Sequence, residues 1–196
     1  MRIAVLCSGS GTNLQALINA WHNGKFEKSI IALVVASRPN IFALERASAS
    51  NIPAVIVDKK EYKAPDKFDD ALLAQLKSHN IDLVVMAGYL CILGSKVLTD
   101  FEGRIINVHP SLIPSFCGKG YYGLRVHEAA LEYGVKVTGA TVHIVNHIVD
   151  GGRILSQKAV DVLPDDTPES LQRRVMETAE WEILPKAVAM FCRDEI

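Results

Sequence analysis

Short stretches of this chain are apolar at nearly every position: Arg2-Ile3-Ala4-Val5-Leu6-Cys7, Ile30-Ile31-Ala32-Leu33-Val34-Val35-Ala36, Ala54-Val55-Ile56-Val57 and Leu83-Val84-Val85-Met86. Side chains alternate faces along a strand, so a strand with one wet face alternates polar and apolar residues. A continuously apolar strand must be covered on both faces, as in a parallel sheet between helices. Segments with helical spacing separate the runs: Asn13 to Trp21, Ile41 to Ala49, Phe68 to Ser78 (apolar at Phe68, Leu72, Leu73 and Leu76) and a short one around Leu93 to Leu98. A further strand runs from Arg104 to Val108.

The pattern then changes. Val126 to Tyr133 reads as a helix closed by Gly134. Val137 to Val145 and Arg153 to Val160 read as strands joined through Asp150-Gly151-Gly152. Pro168 opens a long final helix through Val175 and Trp181 to about Phe191, in which Pro185 predicts a break or kink. The fold expected is α/β: a Rossmann-like mixed, mostly parallel sheet with helices on both faces and an antiparallel C-terminal portion. One domain is expected over residues 1–196, with an N-terminal half to about residue 100 and a second half from about residue 101.

With 49% hydrophobic and 22% charged residues, the composition is that of a soluble globular protein. A formal net charge of −1 gives no support for nucleic-acid binding. Cys7, Cys91, Cys117 and Cys192 are scattered, with no C-x-x-C pair to suggest zinc or redox chemistry. No apolar run reaches the roughly 18 residues of a membrane span. Arg2 to Cys7 is too short for a signal peptide and leads straight into a glycine loop. A cytoplasmic protein is expected, with no membrane partner.

Asn107 and His109, two apart on the Arg104 strand, point the same way, and Pro110 should end that strand. An amide and an imidazole then project together from a strand's carboxyl end, the edge at which open α/β sheets bind ligands. The amide can hold a polarised carbonyl oxygen; the imidazole can move a proton or stabilise an oxyanion. Alone, an N-x-H-P motif more often marks a capped strand end with a satisfied histidine.

Between the first strand and helix lies Ser8-Gly9-Ser10-Gly11-Thr12-Asn13. Gly9 and Gly11 permit positive φ, and the helix start offers unpaired N–H groups and a positive dipole end. Thr12 with Gln15 has the spacing of a capping box. Leu14 replaces the third glycine of the dinucleotide fingerprint, and Ser37-Arg38-Pro39 stands where that fingerprint wants an acid, which disfavours NAD; the Walker pattern is absent. A single phosphate monoester fits this loop, and so does a plain capped strand–helix turn.

The stretch His109-Pro110-Ser111-Leu112-Ile113-Pro114 resembles the transfer-site motif of the folate-dependent formyltransferases, with Ile113 in place of a leucine, and Asp150-Gly151-Gly152 resembles that family's downstream D-G-G turn. Ser8 to Gln15 is similar to the phosphate loop of its phosphoribosylglycinamide-dependent branch. The resemblance runs from Met1 to about Phe191. It implies the formyltransferase fold and transfer of a formyl group from 10-formyltetrahydrofolate to the amine of glycinamide ribonucleotide, N1-(5-phospho-D-ribosyl)glycinamide, in de novo purine synthesis. It further implies catalysis by Asn107, His109 and Asp150, with Asp150 supporting the His109 imidazolium. Gly11, Thr12 and Asn13 would hold the phosphate and Glu180 the ribose; Leu90, Cys91, Ile92 and Leu93, with Asn107, would hold the folate. The formyl-folate is a co-substrate. No metal is implied, the partners are these small molecules, and the state is monomer or homodimer.

The chain departs from the family in places. Cys91 stands where arginine is common, the arginine of the folate tail has no counterpart near Lys63 to Asp66, and Asn146-His147 replaces an acidic pair. Trp181 follows Glu180 where histidine is usual, and the spacing from Arg174 differs. Without the resemblance, Asp150 reads as a turn residue, Glu180 as a solvated helix residue, and Leu90 to Leu93 as a strand–helix loop. His143 reads equally as site-lining or structural, and Phe116 to Gly123 as a lid or a connector. A formyl-folate hydrolase and a non-catalytic nucleotide or folate sensor are the competing functions.

Overall fold

The structure, a computed structural model, describes all 196 residues. The strands are β1 (Arg2–Cys7), β2 (Ile30–Ala36), β3 (Ala54–Ile56), β4 (Leu83–Met86), β5 (Ile105–His109), β6 (Val137–Ile144) and β7 (Ile154–Asp161). The helices are α1 (Thr12–His22), α2 (Phe42–Ala49), α3 (Pro65–Ser78), α4 (Ser95–Asp100), α5 (Leu124–Tyr133), α6 (Pro168–Val175) and α7 (Trp181–Cys192). They surround one sheet of order β3-β2-β1-β4-β5-β6-β7. β1 to β5 pair parallel; β6 and β7 pair antiparallel. The mixed sheet expected from the sequence is therefore present.

The two-sided burial behind the apolar runs is visible in β1. Ile3, Val5 and Cys7 pack on one face with Leu14, Leu17, Ile183 and Leu184. Ala4 and Leu6 pack on the other with Phe68, Leu72, Val84 and Val97. Burial pushes the Cys7 thiol up to about 12, as befits a core residue. The chain winds outward from β1 to β2 and β3, then returns to place β4 on the other side of β1. That reversal between β1 and β4 is the topological switch point, where a crevice opens at the carboxyl ends of the strands.

Several local expectations are corrected. α4 starts at Ser95, because the buried Asp69 carboxylate of α3 accepts from the backbone N–H groups of Gly94 (3.0 Å) and Lys96 (2.8 Å). The capping box does not lie at Thr12–Gln15. Gly11 is the N-cap of α1, at φ 71°, and no side chain caps that helix. Gln15 bonds Asn19 and Arg46 instead. The reciprocal box is at Thr167 and Ser170, opening α6. Of the loop glycines, Gly11 takes positive φ and Gly9 does not.

Pro185 lies inside α7 without breaking it. The irregularity is just upstream, where Met176–Glu180 forms a π-helical turn between α6 and α7. A proline cannot donate to the carbonyl four residues back and crowds it. That carbonyl belongs to Trp181, the first residue of α7, so the disturbance falls at the junction with the wider turn. No helix is long and apolar enough to cross a membrane.

Candidate active site

A cleft of about 670 Å³ opens at the switch point, within the range of small-molecule sites. Its walls are Ser8 to Asn13, Met86 to Leu93, Asn107 to Pro110, Gly118 to Gly123, Val145 to Asp150, and Glu180. Every site residue expected from the sequence thus lines one cavity. Leu90 and Ile92 stand exposed at its rim, whereas Leu93 is buried and Cys91 half-buried.

Asn107 and His109 project from one face of β5, and antiparallel pairing sets Asn107 opposite His143 and His109 opposite Thr141. The His143 ring is buried. Its Nδ1 lies 2.8 Å from the Gly151 carbonyl, which can only accept, so Nδ1 carries the proton. Nε2, 3.1 Å from Asn107 Nδ2, then accepts from the amide. Desolvation lowers the His143 pKa below the ordinary histidine value, keeping the ring neutral as this tautomer requires. The second N–H of Asn107 is left for the cleft. His143 is therefore at once site-lining and hydrogen-bonded.

His109 is 4% exposed. Its Nε2 donates to the Phe116 carbonyl at 2.9 Å. Its Nδ1 lies 3.6 Å from Asp150 Oδ2, an ion-pair distance too long for a hydrogen bond. The same Asp150 oxygen accepts from Gly118 N–H at 2.7 Å. Asp150 sits at φ 54°, a left-handed conformation that Asp and Asn tolerate best among non-glycine residues. One tight turn thus reaches both strand residues, through the Asp150 carboxylate to His109 and through the Gly151 carbonyl and His143 to Asn107.

At the other end of the cleft, a Cβ on Gly11 would meet Ala43 Cβ at 2.8 Å and Cα at 2.9 Å, so α2 packs directly against this turn. With no side-chain cap, the first N–H groups of α1 remain available to an anion. Asn13 Nδ2 donates to Glu180 Oε2 at 2.5 Å, and Asn13 Oδ1 has no partner. Burial pushes the Glu180 carboxyl up to about 7, partly offset by the Asn13 bond. Thr12 turns toward Met176 Sδ at 3.8 Å. Arg38, whose Nε donates to the Ser8 carbonyl, and Lys119 are the fixed cations of the lining.

Sequence reasoning missed the Phe116 carbonyl on His109, the His143 bond to Asn107, and His127. The last lies on the buried face of α5 with both ring nitrogens unpartnered. Its place beside Val126 and Ala130 in a helical pattern gave no signal.

The mixed α/β sheet agrees with the comparisons to known proteins. Residues 1–188 match the formyl transferase family, to which the chain belongs. Within that family its likeness is to phosphoribosylglycinamide formyltransferases. The structure superposes on glycinamide ribonucleotide transformylase 1 from Symbiobacterium toebii with a TM-score of 0.92 and 42% identity, covering 99% of this chain and 88% of that one. Phosphoribosylglycinamide formyltransferase of Haemophilus influenzae is 40% identical over 190 residues, 97% of this chain and 86% of that protein. The trifunctional purine biosynthetic protein adenosine-3 of Drosophila melanogaster is 38% identical over 190 residues; the chain spans 14% of its length.

Proposed function

We propose that this protein transfers the formyl group of 10-formyltetrahydrofolate to the amine of glycinamide ribonucleotide. The observation that carries the reading is the meeting, in one cleft, of the Asn107–His109–Asp150 set with an uncapped helix start. The nucleotide phosphate docks on the N–H groups of Gly11, Thr12 and Asn13, and Glu180 receives the ribose hydroxyls. The folate lies along Leu90 to Leu93, its flat ring on the apolar side chains.

The neutral amine attacks the formyl carbon, forming a C–N bond and an oxyanion. The free N–H of Asn107 meets that oxyanion, with the His109 imidazole beside it. The His109–Asp150 pair takes the proton of the attacking nitrogen and delivers it to folate N10 as the C–N10 bond breaks. The 3.6 Å gap of that pair is of the kind that closes when substrate arrives. No covalent enzyme intermediate is needed. One chain supplies every group, so either a monomer or a homodimer can act, and the four free thiols suit the cytoplasm.

The test is tetrahydrofolate release with the nucleotide present or omitted. Release only with nucleotide, matched by formylated nucleotide, is expected. Equal release without nucleotide would identify a hydrolase, and binding without turnover a sensor.

A further inference from the structure

Phe116 holds a backbone conformation that a bulky residue rarely adopts, φ 48°. Its carbonyl is the partner of His109 Nε2. Anchors flank it on both sides: Ser111 Oγ donates to the Ser115 carbonyl at 2.6 Å, and Gly118 N–H donates to Asp150. Its ring meets Tyr121 edge-on (centroids 6.4 Å, 62°) and Tyr133 edge-on (6.0 Å, 74°). Tyr133 lies at the end of α5, is 81% exposed and is outside the cleft lining. A ring so exposed adds little to the core, and its aromatic contact is Phe116.

We infer that Phe116 and Tyr133 are positioning residues, an aromatic strap that holds the Phe116 carbonyl on His109 and so fixes which ring nitrogen bears the proton and which faces Asp150. The inference builds on the proposed formyl transfer and concerns residues outside the Asn107–His109–Asp150 set. Left-handed backbone at Phe116 aims its carbonyl inward; the two tyrosine edges keep the ring from swinging and relaxing that backbone. Without the strap, the imidazole loses its fixed tautomer and rotates between the carbonyl and the carboxylate.

Tyr133→Ala and Tyr133→Phe decide the matter, because this exposed helix-end position tolerates substitution. An edge-on aromatic contact corresponds to a rate change of roughly two- to tenfold. Tyr133→Ala should lower kcat by that factor, leave both KM values unchanged, and be restored by Tyr133→Phe. In proton NMR of the ligand-free protein, the His109 Nε2–H signal, kept from exchange by its bond to Phe116, should broaden in Tyr133→Ala and persist in Tyr133→Phe. An unchanged Nε2–H signal overturns the strap, whatever the kinetics. So does a loss of kcat that comes with raised KM or is not restored by phenylalanine. The NMR arm needs no turnover, so it decides the strap even if the protein transfers no formyl group.

Discussion

Asn107 and His143 face each other across β5 and β6, amide nitrogen to Nε2, at 3.1 Å. The bond fixes which end of the amide points into the cleft. His143→Leu removes the acceptor and frees the amide to rotate. Loss of one oxyanion donor costs roughly 10²–10³-fold in kcat, and a misaligned donor should cost at least about tenfold. KM for the nucleotide should stay constant. Steady-state kinetics beside a thermal melt make the check; wild-type kcat in the folded variant would remove His143 from the account.

Asp150→Asn isolates charge from shape. Asparagine accepts the left-handed φ of 54° and can still accept from Gly118 N–H. If the carboxylate supports His109, kcat should fall by roughly 10²–10⁴-fold with little change in nucleotide affinity. A well-folded variant with near-normal kcat would reduce Asp150 to a turn residue.

Gly11→Ala and Gly9→Ala should behave differently. At Gly11 the new methyl meets the backbone and side chain of Ala43 and the φ is positive; at Gly9 nothing lies within 4 Å and the φ is ordinary. Overpacking of this kind costs about 1–3 kcal/mol. Gly11→Ala should therefore unfold at a clearly lower urea midpoint and raise the nucleotide KM, while Gly9→Ala keeps wild-type stability. Equal midpoints would mean that the loop does not pack on α2 as described.

Buried Glu180 and His127 should bend the pH–stability curve in opposite senses. Between pH 4.5 and about 7 the unfolded chain releases the Glu180 proton that the folded protein keeps, so stability falls as pH rises. Between pH 6.5 and about 4 the unfolded chain takes up a His127 proton that the folded protein refuses, so stability falls as pH drops; burial is the main cause and repulsion from His109 the lesser. Each effect is on the order of 1.4 kcal/mol per pKa unit. Glu180→Gln should gain on the wild type as pH climbs from 5 toward 7, and His127→Leu should gain as pH drops from 6.5 toward 4. Urea midpoints that run parallel to the wild type across these windows would disprove the assignment.

The sheet and the strand-end site were legible because their signals are local. Continuous apolar runs report burial on two faces, and the i, i+2 spacing of Asn107 and His109 puts them together on any strand. The α1 cap was misread because Thr12 and Gln15 have the right spacing, but Gly11 in a left-handed conformation takes the cap position. The Asp69 carboxylate reaches α4 from another helix, and the Phe116 carbonyl reaches His109 through a loop conformation. Backbone groups carry no residue-type signature, so such contacts leave no mark on composition or period.

The π turn at Met176–Glu180 bears on how chains of this fold can be compared. An extra residue in a regular helix would rotate everything beyond it by about 100°. A π turn takes up one residue in a wider loop and leaves the following helix in phase. Deleting one residue between Met176 and Ala179 would let the segment close as ordinary α-helix with the Glu180 carboxylate still beside Asn13. A one-residue length difference at this point is therefore silent, and an alignment that places its gap after Glu180 would misassign the side chain that meets Asn13 in the cleft.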